Sequence, residues 1–139
     1  MIDLDIVGKI KHKKEIKDFV FDSLMYLIPE LDRDVCIDIK FSNVLEHYAL
    51  GYCSGDTTNV EIEIAKTNSN GKLTIDEMML TLAHELIHAK QFIKGELTSN
   101  NTWKNTSLLH LENSTRPWEK QAYLFEDLIF NTFWLSNYK

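Results

Sequence analysis

Residues 74–95 read TIDEMMLTLAHELIHAKQFIKG and carry the clearest structural signals in the chain. Thr74, followed three residues later by Glu77, matches a capping box, which satisfies the free amides at a helix start. Gly95 suits the left-handed position after a last helical turn. The pattern predicts one long helix over about residues 75–94. Its apolar face is formed by six residues: Ile75, Met79, Leu82, Leu86, Ala89 and Ile93.

Within this helix lies an H-E-x-x-H motif formed by His84, Glu85 and His88. Residues four apart are separated by about 40° around a helix axis, so both imidazoles project from one face and can share a metal ion. That face points away from the apolar stripe, and we expect it to border a cleft. The motif is typical of metallopeptidases, in which the histidines bind zinc and the glutamate is the general base. The plainer alternative is two histidines that bind no metal.

A catalytic zinc site has three protein ligands and keeps a fourth position for water. Glu119, at the start of the last predicted helix, is our choice for the third ligand, and His110 and Glu112 are its competitors. A carboxylate at a helix start is also favoured by the helix dipole alone. Tyr123 and Glu126 share a helix face with Glu119, so they are candidates for supporting the ligands or facing substrate. Tyr123 and His110 are the candidates for stabilising the oxyanion.

Two segments together resemble a known group: HELIHAKQ at residues 84–91 and RPWEKQAY at residues 116–123. They look like the small HExxH metallopeptidase-like proteins of phages and bacteria, which are similar to minimal gluzincins. In that group a P-W-E-x-x-A segment opens the C-terminal helix, and its glutamate is taken as the third zinc ligand. The resemblance implies that Glu119 has this role here. Trp103 also resembles a tryptophan found between the two motifs in that group.

The same resemblance implies a zincin-like fold and a peptide or protein substrate, cleaved by a water that one Zn²⁺ ion activates. The substrate is expected to lie along an edge strand and extend the sheet. That strand would contain five residues: Val60, Glu61, Ile62, Glu63 and Ile64. The SprT-like metalloproteases also carry H-E-x-x-H but close their site with a downstream histidine, which would be His110. A zincin-like protein that binds metal without cleaving peptides is the second functional hypothesis.

The rest of the chain predicts an α+β domain that spans residues 1–139. Helical spacing of apolar residues predicts a helix over about residues 10–28, and Pro117 can open a last helix that runs to Phe130 or Trp134. Alternation predicts strands at residues 35–41 and 60–64, with a weaker strand at 48–53 that could form a hairpin with the latter. The predicted order is a helix, a twisted sheet of about three strands, the H-E-x-x-H helix and a C-terminal helix.

Composition restricts the partners. The net charge of −6 and the pI near 5.3 argue against nucleic-acid binding, and a short lysine run at residues 9–17 is best interpreted as a solvated helix face. Residues 1–8 lack the features of a secretory signal, and no apolar run is long enough to span a bilayer, so we expect a cytoplasmic protein without a membrane partner.

The sequence also supports predictions for the cysteines, for an aromatic series and for possible substrate contacts. Cys36 and Cys53 are predicted to be buried free thiols. An aromatic series is predicted to be packing material, and it comprises Trp118, Phe125, Phe130, Phe133 and Trp134. Three residues near the middle strand could help to bind substrate: His47, Tyr48 and Tyr52.

Overall fold

A computed structural model of the chain describes residues 1–100, 102–104, 106–107 and 116–138. The fold is α+β, with helices packed on one face of a small mixed sheet, which confirms the predicted class. The strands are β1 (Ile2–Val7), β2 (Val35–Ser42), β3 (Gly51–Gly55), β4 (Asn59–Ala65), β5 (Thr67–Asn68), β6 (Gly71–Lys72), β7 (Thr102–Trp103) and β8 (Thr106–Ser107). The helices are α1 (Lys13–Leu27), α2 (Ile75–Ile93), α3 (Pro117–Phe130) and α4 (Ser136–Tyr138), with a 3₁₀ turn at Glu46–Tyr48 and a π-helical segment at Asn131–Leu135.

The main sheet has four strands in the order β1-β2-β4-β3. β1, β2 and β4 are parallel, whereas β3 forms an antiparallel hairpin with β4 and ends the sheet. The hairpin was predicted, but β1 was not, and the chain begins with this strand rather than with a helix. Ile2, Leu4 and Ile6 alternate with exposed residues along β1, as expected for a strand that buries one face.

One face of the sheet is buried under α1 and α2, while the other is open to solvent. β2 shows this most clearly, because Val35, Ile37 and Ile39 are fully buried and the residues between them are exposed. Cys36 is one of these exposed residues, so the prediction that it is a buried thiol is wrong. Period-two alternation along β2 places Cys36 between Val35 and Ile37 and therefore on the open face of the strand.

α2 begins as the capping box predicts. The Thr74 hydroxyl accepts a hydrogen bond from the Glu77 amide at 3.1 Å, and the Glu77 carboxylate accepts one from the Thr74 amide at 2.9 Å. The helix ends at Ile93, and Gly95 follows with a φ of 72°, where a left-handed residue was expected. Arg33 closes this end, since its guanidinium donates to the Ile93 carbonyl and, at 3.0 Å, to the Thr57 carbonyl. The predicted apolar face of α2 is buried in the core, with Ile75 partly buried.

α1 starts at Lys13, later than predicted, because His12 has a φ of 68° and interrupts the helical backbone before it. The C-terminal helix starts at Pro117 as predicted and ends at Phe130, where the π-helical segment Asn131–Leu135 continues it. Trp134 in that segment is buried, packs edge-on against Phe19 at 6.1 Å and donates to the Asp76 carboxylate at 2.9 Å. The predicted aromatic packing series is correct except for Phe125, which is 38% exposed. Within the described residues, no helix is long and apolar enough to cross a membrane.

Candidate metal centre

Three potential ligand atoms converge between α2 and α3. One ligand atom from each of His84, His88 and Glu119 lies within 4.8 Å of the others, and together these groups could hold a metal ion. The Glu119 Oε1 atom lies 3.3 Å from His84 Nε2 and 3.0 Å from His88 Nε2. For metal–ligand bonds of about 2.0–2.1 Å, the edges of a tetrahedron measure about 3.3–3.4 Å. The two carboxylate–imidazole distances are therefore close to the edges of a tetrahedral metal site.

The start of α3 places Glu119 over the two imidazoles. Pro117 occupies the first helical position, and the Glu119 amide donates to the Arg116 carbonyl at 3.0 Å in the first turn. Trp118 is buried, and its ring lies 6.2 Å from the ring of Trp103, so Trp103 helps to hold this end of α3. The P-W-E segment thus combines a fixed helix start, a buried anchor and a carboxylate that points at α2.

Each histidine is held by a hydrogen bond at its other ring nitrogen. His84 Nδ1 lies 3.0 Å from Glu126 Oε1, and His88 Nδ1 lies 2.7 Å from Gln91 Oε1. An acceptor at Nδ1 keeps a proton there and leaves the Nε2 lone pair for a metal ion. The sequence suggested Glu126 for this kind of role but missed Gln91. The signal was available, because Gln91 follows His88 at i+3 and so lies on the same helix face.

Charge pairing shapes the ionisation of the metal-free site. Burial alone lowers the pKa of His84, but its hydrogen bonds to Glu119 and Glu126 outweigh this and raise the pKa to about 9. Burial alone raises the pKa of Glu119, but hydrogen bonds from His84 and His88 lower it to about 2. Without a cation, a protonated imidazole supplies the positive charge that the carboxylate requires. A metal ion would take over that charge and release the proton.

Glu85 lies in the same cleft but outside the ligand cluster. Its side chain is buried, and this burial raises the pKa of the carboxyl group, an effect that His88 and His84 partly offset. A Cβ atom added to Gly51 would lie 2.8 Å from Glu85 Oε2 and 2.6 Å from Thr81 Cγ2. Only glycine at this position of β3 therefore lets the strand pass so close to Glu85.

The edge of the sheet at this cleft is β3, which corrects the predicted edge strand. Val60–Ile64 lies within β4, and β4 is paired with β2 on one side and β3 on the other. β4 cannot accept a further strand, whereas β3 ends the sheet in the part of the chain that is described. The sequence predicted both strands but not their order across the sheet. That order follows from the pairing of β4 with β2 on one side and with β3 on the other.

The cleft has a volume of about 860 Å³ and runs between β3 and the two helices. Leu50 and Tyr52 line its sheet side, and Tyr123 lines its helix side, where its ring lies 4.7 Å from that of His84. Of the suggested substrate contacts, Tyr52 lines the cleft, while Tyr48 is 83% exposed. Cys53 also lines the cleft, and burial raises the pKa of its thiol well above its usual range. His110 and Glu112, the competing ligands, lie outside the described residues.

No protein-family model and no curated protein matches the chain. Among solved structures, the chain is similar to one described as the crystal structure of a Wss1 mutant from Saccharomyces cerevisiae. The two share 16% sequence identity with a TM-score of 0.44, over 96% of this chain and 90% of that one. A likeness of this degree decides no functional question.

Proposed function

We propose that the protein is a zinc-dependent peptidase in which His84, His88 and Glu119 hold the metal ion and Glu85 is the general base. The observation that carries this proposal is that one oxygen of Glu119 lies 3.3 Å from His84 Nε2 and 3.0 Å from His88 Nε2, in a group that could hold a metal ion. A buried carboxylate that is not one of the three ligands faces the same cleft. Zinc bound there would supply a Lewis acid and a water of lowered pKa.

The residues around this site suit the remaining tasks of peptide hydrolysis. Burial raises the pKa of Glu85, which brings the carboxylate closer to the basicity that a base working near neutral pH needs. Glu85 would take a proton from the attacking water and deliver it to the leaving amine. Tyr123, whose ring borders His84, is our candidate for donating a hydrogen bond to the oxyanion.

The substrate is proposed to bind as an extended peptide along β3. This strand lies at the sheet edge beside the cleft, and its outer backbone groups can pair with a peptide in the same manner as another strand. Gly51 brings β3 against Glu85, so a peptide paired with this edge would pass close to the base. The open rim at Leu50 and Tyr52 offers apolar surface to its side chains.

A Glu85→Gln variant tests the proposal. The amide keeps the shape of the side chain but cannot accept a proton, so hydrolysis of a fluorogenic peptide library should fall by about 10²–10⁴-fold. Zinc content, measured on untagged protein, should stay at one ion per chain. Glu61→Gln is the matched control, because Glu61 is exposed on the open sheet face. Zinc uptake without any hydrolysis by the wild type would instead favour a metal-binding module, and no zinc uptake at all would refute both hypotheses.

A further inference from the structure

Gln91 is fully buried behind the candidate metal centre and uses both ends of its amide. Its Nε2 atom donates to the Trp118 carbonyl at 2.9 Å and to Gln121 Oε1 at 2.9 Å. Its Oε1 atom lies 2.7 Å from His88 Nδ1. All the hydrogen-bonding atoms of this side chain therefore have partners, and the amide has one favourable orientation.

The Trp118 carbonyl fixes that orientation. A backbone carbonyl only accepts hydrogen bonds, so the amide nitrogen of Gln91 must face it. The amide oxygen then faces His88, and because this oxygen also only accepts, the proton between them must sit on His88 Nδ1. The Nε2 atom of His88 is left to face Glu119 at 3.0 Å.

Lys90 imposes the same orientation from the other side. Its ammonium group only donates, and it lies 3.2 Å from Gln121 Oε1 and 2.7 Å from the Glu96 carboxylate. Gln121 must therefore present its oxygen to this region, and that oxygen can accept only from the nitrogen end of Gln91. Two donor-or-acceptor constraints, one from Trp118 and one from Lys90, thus agree on a single arrangement.

We propose that Lys90, Gln121 and Gln91 are positioning residues that hold His88 in the form with a proton on Nδ1, so that Nε2 is ready for the metal ion. The proposal deepens the zinc-peptidase function above and rests on its metal site. Residues that orient metal ligands through hydrogen bonds typically contribute about 10–100-fold to metal affinity. An isolated imidazole has no such constraint and can lose its proton from either nitrogen.

The hydrogen bonds that run from Lys90 through Gln121 and Gln91 to His88 are here called the relay. Each donor and acceptor in it has a fixed role, which distinguishes it from a group of residues that only pack together. Gln121 acts only as an acceptor, so Gln121→Glu should keep zinc affinity near the wild-type value, whereas Gln121→Met, of similar size, should weaken it several-fold. Gln91→Met removes the acceptor for His88 and should weaken zinc binding by about 10–100-fold. Lys120→Met is the matched control, since Lys120 is exposed on the same helix. Affinity would be measured by competition with a chromophoric chelator.

Nuclear magnetic resonance gives a second readout that does not depend on zinc or on activity. In both metal-free and zinc-loaded protein, the His88 Nδ1 proton should give a slowly exchanging downfield signal, and this signal should disappear in Gln91→Met. Equal zinc affinities for Gln121→Glu and Gln121→Met, or an unchanged proton signal in Gln91→Met, would overturn the relay. A wild type that binds no zinc would refute the proposed function, and the proton signal would then decide the relay alone.

Discussion

Replacing Gly51 with alanine tests whether Glu85 must be held where the structure places it. The three atoms nearest to the added Cβ would belong to Thr81 and Glu85, at 2.6, 2.8 and 3.1 Å. Ordinary van der Waals contact begins near 3.4 Å, so the Glu85 carboxylate and the Thr81 methyl group would each have to move by about 0.6–0.8 Å. Overpacking of this size costs about 1–3 kcal/mol of the free energy of unfolding.

The expected effect on catalysis is larger than the effect on metal binding. A displacement of about 1 Å in a catalytic group can cost about 10²-fold in rate, so kcat/KM on a fluorogenic peptide should fall by about 10–100-fold. Zinc affinity should stay within about threefold of the wild type, because none of the three nearest atoms belongs to a proposed ligand.

A second variant separates the displacement of Glu85 from general strain. Thr81→Ser keeps the hydroxyl, which bonds the Glu77 carbonyl at 3.2 Å, and removes the methyl group that the alanine would strike. Combined with Gly51→Ala, it should recover much of the free energy of unfolding but little of the rate. A folded Gly51→Ala protein with wild-type kcat/KM would refute the proposed placement of the base.

Three further predictions concern the fold and the metal site. Trp134→Ala should lower the free energy of unfolding by about 3–5 kcal/mol in urea titrations, since it removes a buried ring that joins α1 to the C-terminal segment; a loss below about 1 kcal/mol would contradict this packing. Of the two thiols, only Cys36 should react with Ellman's reagent in the folded protein, because burial and the nearby Glu85 carboxylate raise the pKa of Cys53, and both should react after denaturation. Free zinc at 100 times its dissociation constant should stabilise the protein by about 2.7 kcal/mol in thermal unfolding, and His88→Ala should lose this gain, whereas an equal gain in both proteins would show that zinc binds elsewhere.

The sequence predicted the parts of the fold that depend on local periodicity and capping. α2 was placed almost to the residue, because its start, its end and its apolar face each have a separate signal. β1 was not predicted, although Ile2, Leu4 and Ile6 alternate with exposed residues along it. The strand is short, and the residues on its exposed face include Asp3 and Asp5, a residue type that is depleted in strands.

The lateral order of the strands could not be predicted in the same way. Period-two alternation assigns the faces of β4 but carries no information on which of its edges is paired. β3 lies at the edge because it follows β4 in the strand order, through the antiparallel pairing of their hairpin. Gly51 lies where β3 passes close to Thr81 and Glu85 of α2, and a glycine within a strand is a local sign of such a close approach.

In the candidate site, too, the sequence predicted what depends on spacing along one helix and missed what depends on contacts between helices. The i+4 spacing fixed the direction of both imidazoles, and the helix-start motif supplied Glu119 through a resemblance. The groups that support the Nδ1 atom of His88 were harder to predict. Gln91 and Gln121 have no charge and belong to no motif that requires them. Their roles depend on which ends of two amides face each other, and only the assembled helices define this.

Ligand orientation and the docking of α3 on α2 are therefore one event. His84 is oriented by Glu126 from α3, and His88 is oriented by Gln91, whose amide is itself oriented by the Trp118 carbonyl of α3. Glu119 comes from the same helix, so a separated α3 would remove one proposed ligand and release both imidazoles. Because such coupling is reciprocal, a metal ion that binds the docked arrangement must also stabilise the contact between the helices. In the proposed enzyme, one metal ion would therefore both occupy the site and stabilise the two helices that build it.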